Sequence, residues 1–440
     1  MKTKIVFQLI SIPLLLSLAA CLAQPTPTLT PALPATPRST AVQKHDSPGT
    51  FKSSACRFIL PKDLKEGEDV ECGSLTLLED REKPDGRTIR LAVAVFHRPG
   101  GAIYPDPVIY LSGGPGVAAL EGMRFQYEDM TETTFEAGRD LVVFDQRGIG
   151  LSRPALDCPN YDDLALDLLD RKVEGQVLDI EKGRELILSS FQECHDALSQ
   201  AADLTHYNSA ESADDVEELR QALGYEQINL WGASYGTRLG LEVMRRHPEN
   251  LRSVILEAVY PPDVDLYTSI PGNFYRSLEL LFENCTANAV CNQNFPDLRN
   301  VLFATVERLN IQPILQRVKN PLTGEEYDAY MDGSTLLNLI FQILYDSKLR
   351  YLLPEMIYDA SQGEFTTLDA VRGSMLAMMS LTSRGMQLSV QCHEEVAFSS
   401  PEMFQTELGR VPEIASMYAN NQQGTLIFDI CQIWGAGQAA

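Results

Sequence analysis

A serine can act as a covalent nucleophile only where its hydroxyl is presented clear of the chain, and one five-residue stretch has the composition for that. Gly232-Ala233-Ser234-Tyr235-Gly236 has the form G-x-S-x-G. It follows the short apolar run Gln227 to Trp231 and precedes a helical pattern from Thr237 to His247 that Pro248 stops. A strand joined to a helix by this motif is a nucleophile elbow: two glycines permit the tight backbone and the hydroxyl stands out above the sheet. Ser234 is therefore the candidate nucleophile.

Two further segments carry compatible chemistry. Pro107 to Leu111 reads as a strand running into Ser112-Gly113-Gly114-Pro115-Gly116, where glycines free backbone N–H groups to turn toward a developing oxyanion. Asp140 to Phe144 reads as another strand, followed by Asp145-Gln146-Arg147-Gly148-Ile149-Gly150-Leu151-Ser152.

In this order, Gly113 to Gly116, Asp145 to Ser152 and Gly232 to Thr237 resemble the G-G-P-G, D-Q-R-G-x-G-x-S and G-x-S-Y-G-T motifs of the prolyl aminopeptidase and tripeptidyl aminopeptidase-like serine peptidases. These form a branch of the α/β-hydrolase superfamily, and the resemblance extends over most of residues 55–435. It implies an α/β-hydrolase fold with a mostly parallel central sheet and a helical cap insertion. It also implies an exopeptidase that cleaves residues from peptide N termini through a Ser234 acyl-enzyme. The backbone N–H of Tyr235 and of Gly113 or Gly114 would form the oxyanion hole.

Such a hydrolase needs a histidine to take the serine proton and an acid to orient that histidine, both after the serine in this fold. The family's G-x-x-D-x-x-T-P and G-x-G-H segments do not occur in the sequence. The expectation is a core whose last strands, with the triad Asp and His, are missing. His247 lies thirteen residues along the helix from Ser234, about 20 Å away at 1.5 Å per residue, and cannot reach it. His393 is the downstream candidate base, and Glu257, which ends the apolar run Ser253 to Leu256, is the candidate acid. His97, His195 and His206 precede the serine, and His45 lies in a linker. No triad is assigned, so two alternatives stand beside the peptidase: a non-catalytic peptide-binding surface lipoprotein, and an esterase or lipase on the same fold.

The remaining sequence frames these motifs. A net charge of −24 leaves nothing to neutralise phosphates, which argues against nucleic acid as a partner; peptide is the expected substrate or ligand. Met1 to Lys4 is basic, Ile5 to Ala20 mostly apolar, and Leu18-Ala19-Ala20-Cys21 ends in a lipobox-like pattern. Residues 1–20 read as a lipoprotein-type signal peptide, with Cys21 the lipidated first residue of an exported bacterial cell-surface protein anchored to membrane. Residues 21–52 are a Pro/Thr-rich linker that cannot bury a core.

Eight further cysteines suit an oxidising compartment. Their connectivity is open from sequence; proximity favours Cys56–Cys72, Cys158–Cys194, Cys285–Cys291 and Cys392–Cys431. No C-x-x-C or H-x-x-H spacing supports a metal site, and no cofactor is expected. Residues 53–263 read as the α/β core, opening with a hairpin of Val70 to Leu78 and Thr88 to His97 turned at Pro84-Asp85-Gly86. Residues 264–425 read as a helical cap, with Tyr275, Phe282, Phe341 and Tyr345 in its interior and Glu355 and Glu394 on solvated faces. Residues 426–440 read as a truncated return toward the core.

Overall fold

The computed structural model describes residues 47–173, 176–177, 179–419 and 424–439. Residues 1–46, with the expected signal peptide, Cys21 and most of the linker, lie outside them.

Short runs, apolar in every case but the first and too brief for buried helices, become the strands of one sheet. They are β1 (Thr50–Ser53), β2 (Val70–Leu78), β3 (Thr88–Phe96), β4 (Val108–Leu111), β5 (Leu141–Asp145), β6 (Ile228–Ala233) and β7 (Leu251–Glu257). Their spatial order is β1-β2-β3-β5-β4-β6-β7. The pairs β5/β4, β4/β6 and β6/β7 are parallel, whereas β1/β2, β2/β3 and β3/β5 are antiparallel. Parallel strands need crossovers of a dozen or more residues. These are supplied by helices α1 (Ala119–Glu136), α2 (Ile180–Ala201), α3 (Ser209–Ala222) and α4 (Tyr235–Arg246). The fold is that of the α/β-hydrolases, with a mixed sheet whose central strands are parallel.

One boundary is corrected. Residues 50–52 fall at the end of the expected linker, yet they pair with Thr76, Leu75 and Ser74 in that order as part of β1. Backbone hydrogen bonding needs no apolar periodicity, so composition gave no sign of this strand.

The opposite side of the sheet is less complete. β7 is its last strand, and no described residue pairs with its outer edge. Ile255, opposite Trp231 in register, is 53% exposed, an unusual state for a parallel strand.

After β7 the chain builds the cap from α5 (Leu266–Ala287), a hairpin of β8 (Ile314–Lys319) and β9 (Glu326–Met331), and helices α6 (Gly333–Leu344), α7 (Thr366–Met379) and α8 (Arg384–Glu394). The hairpin is an addition to the mostly helical cap that the sequence led one to expect. Among the aromatic residues expected inside, Phe282 and Phe341 are buried and Tyr275 half-buried, but Tyr345 is 74% exposed. At the C-terminal end of α6 its ring packs edge-on against Phe341 and is otherwise open to solvent. Residues 426–434 form helix α9 (Leu426–Trp434), which packs on α2 and α8. Disulfides join Cys56 to Cys72, Cys158 to Cys194, Cys285 to Cys291, and Cys392 on α8 to Cys431 on α9.

The segment after β5 is locked to α3 by a buried ion pair. Arg147, fully buried, donates from Nε and Nη2 to the two carboxylate oxygens of Asp215 at 2.7 and 2.6 Å, and from Nη1 to the carbonyls of Glu79 and His206. Arg81 reaches the same carboxylate at 2.6 Å. Removing one partner of such a pair leaves the other buried and uncompensated. Arg147→Met should therefore lower the unfolding free energy by about 3 kcal/mol, the lower end of the usual range because Arg81 still holds Asp215. A urea-unfolding midpoint unchanged in the variant would overturn this account.

Candidate active site

The turn between β6 and α4 places Ser234 at φ 54°, ψ −122°, a strained conformation for a residue with a side chain. Its surroundings hold it there. The Ser234 N–H donates to the Glu257 carbonyl at 3.0 Å, and its own carbonyl accepts from the N–H and hydroxyl of Thr237 at 2.8 and 2.7 Å. The flanking glycines are sterically required: a Cβ on Gly232 would collide with the Gly236 carbonyl, and one on Gly236 with the Leu111 carbonyl. The outcome is a buried elbow with an exposed serine at its tip.

The 112–118 loop stands against this tip. A Cβ built on Gly113 would lie 3.6 Å from the Ser234 hydroxyl oxygen. Among the described residues the N–H groups of Gly113, Gly114 and Tyr235 donate to no backbone carbonyl. Free donors clustered at a nucleophile are what a tetrahedral intermediate's oxyanion requires.

Two adjacent side chains, the last of β5 and the first beyond it, hold both ends of this loop. Asp145, wholly buried, accepts from the N–H of Leu120 at 3.0 Å and of Leu151 at 2.8 Å. Burial pushes its carboxyl up to about 6, against the pull of those amides and that of Ala119. Gln146 donates its amide to the carbonyl and hydroxyl of Ser112, both at 3.2 Å, and the Ser112 hydroxyl donates to the Val117 carbonyl. Ser152 closes the unit, donating to the Asp145 carbonyl and accepting from the Ala92 N–H on β3.

The middle of the loop is held by the cap. The Ser383 N–H donates to the Gly116 carbonyl and the Ala118 N–H to the Leu381 carbonyl, each at 2.8 Å, with Val117 bridged to Thr382. The Ser383 hydroxyl accepts from the Gly150 N–H and donates to Asp157. Gln146, Ser152 and Ser383 were not singled out in the sequence. The D-Q-R-G-x-G-x-S pattern marked the first two, whereas nothing local marks Ser383.

The acid and base candidates are placed elsewhere. The Glu257 carboxylate accepts from the Trp231 indole N–H at 3.0 Å, and only its backbone carbonyl meets Ser234. His393 Nδ1 lies 2.9 Å from the Ala436 carbonyl, which ties α8 to the segment after α9. The other described histidines are also engaged: His97 with Asp140, His195 with Asp196 and Ser199, His206 with Asp80 and Glu211, and His247 with Asp214. Among the described residues, none hydrogen-bonds the Ser234 hydroxyl.

Beneath the elbow lies a buried polar group. Tyr235 meets the Ser209 hydroxyl at 2.9 Å, Ser209 donates to Glu394 at 2.7 Å, and Arg238 on α4 donates to the same carboxylate at 3.1 Å. Glu394 is thus 7% exposed rather than solvated, because Arg238 neutralises it inside; Glu355 is exposed. Its neighbour Glu395 is buried beside the Tyr260 hydroxyl, and the contact between the two is too long for a good hydrogen bond, so it stabilises the carboxylate only weakly. Burial raises the Glu395 carboxyl to about 7, with the Glu394 charge adding to the rise and Arg238 opposing it.

Strand order and elbow together have the arrangement of the alpha/beta hydrolase fold. Residues 106–278 match the sequence family described as the alpha/beta hydrolase fold. The chain is distantly related to serine proteases and tripeptidyl aminopeptidases. It is 30% identical over 216 residues to serine protease Hip1 of Mycobacterium tuberculosis H37Rv, covering 48% of this chain and 39% of that protein. It is 30% identical over 220 residues to the tripeptidyl aminopeptidase of Streptomyces coelicolor, covering 49% and 38%. The matches therefore span less than half the length of these curated relatives. Among solved structures, proline iminopeptidase from Mycobacterium smegmatis is similar at 14% identity and a TM-score of 0.28, covering 77% of this chain and 70% of that one.

The Glu395 carboxyl carries a pH signature. Its folded pKa lies above that of an unfolded glutamate, so the native state binds the extra proton and stability falls as pH rises from about 4.5 to about 7. Above that range the cost of burying the carboxylate, only partly offset by Arg238 and Tyr260, remains. Glu395→Gln should flatten this decline and exceed the parent at pH 8 by up to about 3 kcal/mol, with little difference at pH 4.5. Parallel stability curves for the two proteins over pH 4.5–8 would contradict it.

Proposed function

We propose that the chain is a serine hydrolase of the aminopeptidase type, cleaving residues from peptide N termini through an acyl-enzyme on Ser234. The observation that carries this reading is the strained, exposed Ser234 with Gly113 against its hydroxyl and free N–H donors on both sides. The serine oxygen attacks the scissile carbonyl, and the resulting oxyanion is received by the N–H of Tyr235 and of Gly113 or Gly114. The names of the distant relatives, a serine protease and a tripeptidyl aminopeptidase, support a peptide as substrate.

The serine proton needs an acceptor, and the described histidines are committed elsewhere. The open edge of β7 and the exposed Ile255 lie on the strand that follows the elbow, and a polypeptide pairing there would run beside the Glu257 loop that contacts Ser234. On this reading the base arrives from that side. The engagement of those histidines favours the second reading, a peptide-binding protein without turnover. We also propose export and membrane anchoring through a lipid on Cys21, supported by the lipobox-like sequence, with no nucleic-acid partner.

Treating the full chain with a fluorophosphonate and mapping the adduct by mass spectrometry separates the readings. The expected result is a single adduct on Ser234 that is absent from Ser234→Ala. A folded protein that takes no label would discard the hydrolase reading in favour of peptide binding.

A further inference from the structure

We infer that the cavity between α6 and α7 of the cap is a subsite for a large apolar side chain of the peptide. The inference deepens the proposed function and rests on peptide being its ligand. The cavity has a volume of about 640 Å³, within the usual range for ligand sites. Its apolar wall is formed by Ile343, Leu349, Val371, Met375, Met378 and Met379.

Three features fix the kind of occupant. First, the charged groups on the wall are already engaged. Arg384 lies 3.5 Å from Asp162 and over the ring of Tyr161, and the Asp346 carboxylate accepts from the N–H groups of Lys348 and Leu349. No strong electrostatic demand is left for a charged ligand, so burial of apolar surface is the main source of affinity. Second, the three methionines are unbranched and polarizable, and adapt to side chains of differing shape better than a Leu/Val wall would. Third, the cavity adjoins the catalytic loop. Thr382 lines it and is bridged to Val117, while Leu381 and Ser383 on either side bond Ala118 and Gly116. The segment that walls the cavity is therefore the one that shapes the loop carrying Gly113 and Gly114.

The test uses the full chain carrying Ser234→Ala, so that binding is read without turnover. Isothermal titration with Leu-Leu-Leu amide is compared with Ala-Ala-Ala amide. The leucyl peptide is expected to bind at least tenfold more tightly, and two substitutions at exposed positions of the wall are expected to erase that preference: Met378→Asp, which makes it polar, and Ser374→Trp, which fills the space. Both sites face solvent, so the fold should tolerate the changes, and near-ultraviolet circular dichroism checks it. Equal binding of the two peptides, no binding of either, or a preference that survives both substitutions would overturn the subsite. Cavity-dependent peptide binding in a protein whose Ser234 takes no fluorophosphonate would sink the catalytic reading and leave the subsite standing. Labelling of Ser234 without the leucyl preference would do the reverse.

Discussion

The arrangement depends on one carboxylate that water cannot reach. Asp145 ends β5 inside the protein, where an ionised group is tolerated only if its oxygens are filled. They are filled by backbone amides from two separate segments: Leu120, at the start of the helix that follows the glycine loop, and Leu151, in the turn after β5. Satisfying the charge and drawing these segments together are one event. Gln146 repeats the logic at the other end of the loop through Ser112, and Arg147 anchors the same stretch to Asp215. Three consecutive residues thus supply one clamp at each end of the glycine loop and an anchor to α3.

The elbow works by a complementary constraint. Strain of the kind seen at Ser234 costs roughly 1–3 kcal/mol and persists only where neighbours over-determine it. Here they are Thr237, which closes on the Ser234 carbonyl, Glu257, whose backbone receives its N–H, and the close passage of Leu111 beside Gly236. Because Thr237 also receives the Tyr260 N–H, the chain leaving β7 is tied to the same turn. The strained backbone at Ser234 is therefore held by β4, β6, β7 and α4 together rather than by the motif alone.

How much of this the sequence revealed follows the range of the forces involved. Strands β2 to β6 were legible because a buried strand must be apolar over a few residues, β7 because it keeps the apolar run Val254 to Leu256 although it is half exposed, and Gly232 and Gly236 because a tight turn admits little else. β1 was hidden, since backbone pairing leaves no side-chain signature, and the β8–β9 hairpin passed for part of a helical cap. Within the site, Ser234 and Gly113 were readable as types at fixed spacing. Ser383 was not, because its partner Gly150 is 233 positions away and a single serine carries no periodicity. Glu394 was misjudged for a related reason: a glutamate in isolation belongs in water, and only the fold brings Arg238 to it.

The seam between Leu381–Ser383 and Gly116–Ala118 has a consequence for motion. A segment that shares backbone hydrogen bonds with the glycine loop cannot swing away like a door without pulling that loop along. Whatever shifts Leu381 to Ser383 therefore shifts Gly116 to Ala118 with them, and a disturbance on either side of the seam is felt on the other.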